Sequence, residues 1–308
     1  MSNVKIFSGS NSKYLAEKIA QAFGNNLGKT VFQKFSDGEM SPYYDESVRG
    51  CDVFIVQSTF APSDNILELL LMIDAAKRAS AESVTVVAPY FGYARQDRKD
   101  KPRISIAAKL MANILAAAGA DRLMTCDLHA DQIQGFFDIP VDHFDGASIF
   151  VPYLKSLELD NILFASPDVG GVKRTRNFAS YFSADMVVCD KHRKRANEVA
   201  AMQLIGDVTD ANVVLVDDLI DTGGTICRAA KLIMDNGAKS VRAVCTHPVL
   251  SGKAYENIEN SVLEELVVAD TIPATASDKI KVLTVSNLFA KGIRKIHDHE
   301  SISSLFIR

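Results

Sequence analysis

Short apolar runs recur along the chain, and most are followed by a stretch whose apolar positions fall three and four apart. The runs include VFIVQS, VTVVAPY, RLMTCDL, NILFASP, MVVCD, VVLVDD and VRAVCTH; the helical stretches include NILELLLMIDAAKRA and TICRAAKLIMDNGA. A continuous apolar run suits a strand buried on both faces, and helices of this length suit crossovers between parallel strands. The rhythm therefore predicts βαβ units around mostly parallel sheets.

Two segments about half a chain apart share one pattern. VFIVQSTFAPSDNILELLLMIDAAKRASAESVTVVAPYF matches VVLVDDLIDTGGTICRAAKLIMDNGAKSVRAVCTHPVL as strand, polar loop, helix with Ala-Ala-Lys, small turn and a strand opened by Ser-Val. The match predicts a duplicated domain with a join near residues 143–150, giving domains 1–146 and 147–308. Only the second copy carries an acidic, glycine-rich loop after its strand.

With 308 residues, 47% of them hydrophobic, there is apolar material for two cores. The 34 Lys and Arg against 38 Asp and Glu leave a net charge of -4. No global field favours a nucleic acid, so any phosphate site must be local. The start, MSNVKIFSGSNSKYL, lacks the basic-then-apolar layout of a secretory signal. No run approaches the ~18 apolar residues of a membrane span. A cytoplasmic protein without membrane contact is expected. The five cysteines are odd in number and scattered, which fits small buried hydrophobes in a reducing compartment.

The loop from Asp217 to Thr225 carries the clearest chemistry. It follows an apolar strand and opens a helix, the position where open α/β sheets bind ligands. Gly223 and Gly224 allow a tight turn that aims N–H groups at an anion near a helix N-terminus, and Thr222 and Thr225 add hydroxyls. Asp217 and Asp218 would repel a bare phosphate, but they suit the vicinal hydroxyls of a sugar or a magnesium ion. Phosphate and diol side by side describe a ribose 5-phosphate. The loop resembles the phosphoribosyl-binding signature of the type I phosphoribosyltransferase fold. Alone, it leaves open whether the protein consumes, makes or senses the activated sugar.

Four further segments narrow the choice: FSDGE at Phe35 to Glu39, YFGYARQDR at Tyr90 to Arg98, DLHADQIQGFFDIP at Asp127 to Pro140, and SPDVGG at Ser166 to Gly171. With RGCDVFIVQST, THPVLSG and SISSLF they make the whole chain similar to the class I ribose-phosphate diphosphokinases, or phosphoribosyl diphosphate synthetases. That resemblance implies two tandem, duplicated type I phosphoribosyltransferase-like α/β domains, each a mostly parallel sheet flanked by helices. It also implies that the last ~18 residues pack back on the first domain. The implied reaction moves the β,γ-diphosphoryl group of ATP to the 1-hydroxyl of ribose 5-phosphate, giving phosphoribosyl diphosphate and AMP.

Site roles follow from the same resemblance. Phe35 offers a stacking face, and Asp37 and Glu39 accept from an exocyclic amine; the family uses this segment for ATP across a subunit interface. Arg95 and Gln96 match its ATP-contacting pair, at the start of a polar loop, 93–106, that would close over ATP. This loop is slightly shorter than the family pattern, which leaves the roles of Lys101 and Arg103 open. His129 and Asp168 match ligands of the Mg2+–ATP complex. Magnesium prefers oxygen, so His129 rests on the resemblance alone. Lys191 and Arg193 match basic catalytic residues, and Arg193 also faces ribose 5-phosphate with Asp217, Asp218, Asp221, Thr222, Gly223, Gly224 and Thr225. Ser47, Arg49, Ser301, Ser303, Ser304 and Phe306 resemble a regulatory site for inorganic phosphate as activator and ADP as inhibitor, and a homohexamer is implied.

Two rival readings make different demands. A phosphoribosyltransferase would share the 217–225 loop without needing FSDGE or YARQDR. A non-catalytic partner subunit would have lost active-site groups, yet Lys191, Arg193, His129 and Asp168 are all present.

Overall fold

The apolar runs form strands buried on both faces, as parallel sheets covered by helices require. The computed structural model describes residues 3–192 and 201–307. Its contacts divide the chain into two units, one of Met1–Asp145 with Val285–Ile307 and one of Gly146–Thr284.

In order, the first unit holds β1 (Asn3–Ser8), α1 (Lys13–Phe23), β2 (Thr30–Lys34), β3 (Met40–Tyr44), β4 (Cys51–Val56), α2 (Asp64–Arg78), β5 (Ser83–Val87), α3 (Ala107–Ala118), β6 (Arg122–Cys126) and β7 (Val141–Phe144). The second holds α4 (Ala147–Ser156), β8 (Ile162–Ser166), α5 (Val172–Phe182), β9 (Met186–His192), β10 (Ala201–Ile205), β11 (Asn212–Ile220), α6 (Gly224–Asp235), β12 (Ser240–Pro248), α7 (Ala254–Glu259), β13 (Leu266–Ala269) and β14 (Ile280–Leu283). Helix α8 (Ser286–His297) then returns to the first unit.

The duplication is visible in the strand order. The first unit runs β1-β4-β5-β6-β7, all parallel, and the second contains β8-β11-β12-β13-β14, also parallel. The matched sequence segments are β4–α2–β5 and β11–α6–β12, which occupy the second and third places of these two runs. In each unit a pair of strands intervenes between the first and second. In the first unit that pair, β2 and β3, forms a separate antiparallel hairpin. In the second, β9 joins the sheet beside β8 and carries β10 antiparallel to it.

Each unit has its own core. Phe7, Val53, Ile55, Leu69, Ile73 and Val86 centre the first; Val213, Leu215, Ile226, Ile233, Val241 and Leu266 centre the second. Helix α8 packs along α1. There the Arg294 guanidinium lies 4.5 Å over the Phe23 ring, His297 Nδ1 meets Asp52 at 3.0 Å, and Phe289 meets Phe144 edge-on at 5.2 Å. Among the described residues no helix is long and apolar enough to cross a membrane.

Candidate active site

Strand β11 pairs with β12 as far as Ile220, so Asp217 and Asp218 sit within the ladder at the carboxyl end of the sheet. The chain then turns at Gly223, whose φ of 74° is a left-handed conformation costly for residues with a Cβ, and α6 starts at Gly224. The turn delivers the first N–H groups of α6 beside the two acids, where the helix end carries positive potential.

Parallel pairing of β8 with β11 brings the Ser166–Gly171 segment alongside. Asp168 accepts from the Gly171 N–H at 3.0 Å, and the Ser166 hydroxyl donates to the Asp168 carbonyl at 2.6 Å. These bonds turn the chain into α5, which presents Arg174. Its Nη1 donates to Asp218 Oδ1 at 2.8 Å, with the two side chains only 21% and 8% exposed.

The two neighbouring acids are treated differently by this setting. Burial pushes the Asp217 carboxyl well above the usual carboxylate range; the charge and hydrogen bonding of Asp218 push the same way, Arg174 opposes, and Asp168 adds a smaller push. Asp217 is thus biased towards its neutral form, and Asp218 accepts from the Arg174 guanidinium.

This asymmetry has a measurable signature. A carboxyl whose folded-state value is raised stabilises the fold fully below its unfolded value, near 3.8, and that contribution is lost as pH rises through the folded value. Asp217→Asn is expected to remove this slope and to raise unfolding stability at neutral pH by about 0.5–2 kcal/mol. Chemical denaturation of variant and parent across a pH series would check both.

The remaining sequence-derived residues fall as follows. Asp221, Thr222 and Gly223 form the turn between β11, which carries Asp217 and Asp218, and α6, which opens with Gly224 and Thr225. Lys191 lies in β9, its backbone paired with Met202 of β10; Arg193 lies outside the described residues. In the first unit, Phe35, Asp37 and Glu39 form the exposed tip of the β2–β3 hairpin. The Phe35 N–H donates to Glu39 O at 2.8 Å, the Glu39 N–H donates to Asp37 Oδ1 at 3.0 Å, and Phe35 is 49% exposed. Arg95 and Gln96 are exposed on the segment between β5 and α3, which contains neither helix nor strand. His129 is exposed after β6.

Ser47 accepts from the Arg49 N–H at 3.5 Å, and the Arg49 guanidinium donates to Ser80 at 3.1 Å. Ser301 and Ser303 hydroxyls meet at 2.9 Å, Ser304 is exposed, and the Phe306 ring lies 6.4 Å from Phe144. Arg174 was not singled out by sequence; its only local signal is the basic KRTR that opens α5. Burial pushes the Cys245 and Cys227 thiols up and raises Cys189 to about 11, so none of these three is a ready nucleophile.

Residues 4–119 match the family model for the N-terminal domain of ribose phosphate pyrophosphokinase, and residues 175–307 match that of the phosphoribosyl synthetase-associated domain. The chain is 54% identical over 306 residues to a ribose-phosphate pyrophosphokinase of Porphyromonas gingivalis, covering 99% of this chain and 98% of that one. It is likewise 54% identical over 309 residues to that of Campylobacter jejuni, covering the whole of both. Among solved structures, the phosphoribosylpyrophosphate synthetase of Mycobacterium smegmatis is 37% identical and superposes with a TM-score of 0.91, over 97% of this chain and 100% of that one.

Proposed function

The chain belongs to the ribose-phosphate pyrophosphokinase family, and on that premise we propose how its own residues carry the family's reaction. It is a transferase that makes phosphoribosyl diphosphate and AMP from ATP and ribose 5-phosphate, a step of nucleotide biosynthesis. One observation carries the assignment of the sugar site: the left-handed turn at Gly223 sets an anion-ready helix end beside the two adjacent acids Asp217 and Asp218 at the end of β11.

In this reading the turn from Asp221 to Thr225 holds the 5-phosphate through N–H groups and the Thr222 and Thr225 hydroxyls. Asp217 and Asp218 hold the ribose hydroxyls. Lys191 and Arg193 stabilise charge on the diphosphoryl group in flight, since this chemistry depends on positioning and charge and needs no covalent protein intermediate. Phe35, Asp37, Glu39, Arg95 and Gln96 serve ATP. Exposure of the hairpin tip and of Arg95 and Gln96 supports this, because both must meet a ligand from outside.

The family requires a divalent metal, which we take to be Mg2+. By the family resemblance we assign His129 and Asp168 as protein ligands; magnesium prefers oxygen, so the carboxylate of Asp168 is the better matched donor. When bound, the ion neutralises phosphate charge. We further assign a cytoplasmic homohexamer, with Ser47, Arg49, Ser301, Ser303, Ser304 and Phe306 at a site for phosphate and ADP. The exposed, hydroxyl-rich turn at Ser301–Ser304 supports it.

A phosphorus NMR time course of the purified protein with ATP, ribose 5-phosphate and Mg2+ tests the reading. AMP and phosphoribosyl diphosphate are expected to appear together and in equal amounts. Folded protein that produces neither would overturn it.

A further inference from the structure

The sugar-phosphate turn is held from behind by the segment that follows β12. The Leu250 N–H donates to Ile220 O at 3.0 Å and the Ser251 N–H donates to Asp221 O at 2.9 Å. Two side chains add to these backbone ties. The Ser251 hydroxyl donates to the Asp221 carboxylate, and Asn257 Nδ2, on α7, donates to Thr222 O at 2.9 Å. Gly223 lies against the same segment, where a Cβ would come within 3.4 Å of Ala254 O. The Cys227 thiol of α6 in turn reaches Asn257 O at 3.5 Å.

The backbone ties fix where the turn runs, and the side-chain ties fix how it is rotated. Ser251 selects one orientation of the Asp221 carboxylate. Asn257 holds the Thr222 carbonyl towards α7, and because a trans peptide is planar the Gly223 N–H must point the opposite way. An N–H held in one direction before the ligand arrives needs no reordering when it binds.

We propose that Ser251 and Asn257 are positioning residues that set the affinity for ribose 5-phosphate, Ser251 by orienting the Asp221 carboxylate and Asn257 by aiming the Gly223 N–H away from α7 at the 5-phosphate. This rests on assigning the 217–225 turn to the sugar phosphate. Neither side chain needs to touch substrate, so the effect is confined to one substrate and to its binding.

Steady-state kinetics on the full-length protein tests the proposal. Ser251→Ala removes a hydrogen bond to a charged group and is expected to raise KM for ribose 5-phosphate about tenfold. Asn257→Ala removes a neutral one and is expected to raise it about threefold. For both, kcat and KM for ATP stay within about twofold of the parent and the melting temperature is kept. Ser251→Thr, which retains the hydroxyl, restores the parent KM. A Ser251→Ala protein that binds ribose 5-phosphate as the parent does, or that loses both substrates equally along with its melting temperature, overturns the proposal. Thr225→Val, assayed in parallel, separates the two levels. If it raises KM while Ser251→Ala does not, the positioning role alone fails; if it too is silent, the assignment of the turn falls and the proposal with it.

Discussion

Lys191→Ala is expected to lower kcat about 10²–10³-fold, the usual cost of removing one preorganised charge donor from a transition state. Charge builds on the transferring diphosphoryl group and its leaving oxygen, and a lysine works there as a compact point charge. In the proposed assignment the 217–225 stretch and the hairpin bind the substrates, so both KM values should move far less than kcat. The variant should fold. The ladder through Lys191 is a backbone pairing with Met202 of β10, and it survives loss of the side chain. Steady-state kinetics beside a thermal melt checks both halves, and unchanged turnover would remove Lys191 from the mechanism.

Gly92→Ala is expected to be the most destabilising small substitution in the first unit. A Cβ at Gly92 would lie 2.0 Å from the Thr59 carbonyl oxygen, and the Gly92 N–H already donates to Thr59 Oγ1 at 2.7 Å. The obstacle is backbone, tied to its surroundings by the Thr59 N–H donating to Tyr90 O at 3.0 Å, so no side-chain rotation relieves it. Overpacking of this kind costs about 3 kcal/mol or more. For a unit of this size that is a fall of roughly 6–12 °C in melting temperature. Gly135→Ala is the control, since a Cβ there meets nothing within 4 Å, and it should melt within about 1–2 °C of the parent. If the two variants melt alike, the chain segments after β4 and β5 do not approach as described.

The sequence exposed those parts of the fold that are local. Each of β4, β5, β6, β8, β9, β11 and β12 coincides with an apolar run, because a strand buried on both faces leaves an uninterrupted signature. The stretch from Asp217 to Thr225 stood out for a similar reason: its acids, glycines and hydroxyls are adjacent in the chain, and they fall from the end of β11 to the start of α6. The strands TVFQK and MSPYY of the hairpin carry no continuous apolar run, since the pair lies outside the main sheet; taken alone, the Asp-Gly of FSDGE between them reads as an ordinary turn between strands, and that is its place in the structure. Long-range partners left no trace either. Arg174 and Asp218 are 44 residues apart, and Ser251 and Asp221 are 30 apart. Nor could the adjacent, identical residues Asp217 and Asp218 be told apart, because the guanidinium that bonds Asp218 is supplied by another helix.

Helix α8 follows the whole of the second unit in the chain but docks on α1 of the first. During synthesis the residues up to Asp145 therefore leave the ribosome with the Phe23 side of α1 uncovered, while Gly146–Thr284 has every strand it needs before α8 is made. Domains usually finish in the order in which they are translated. Here the later-made unit is the first that can close, and the earlier-made one must wait, with an apolar stripe open to chaperones or to neighbouring nascent chains, until Arg294 and Phe289 arrive.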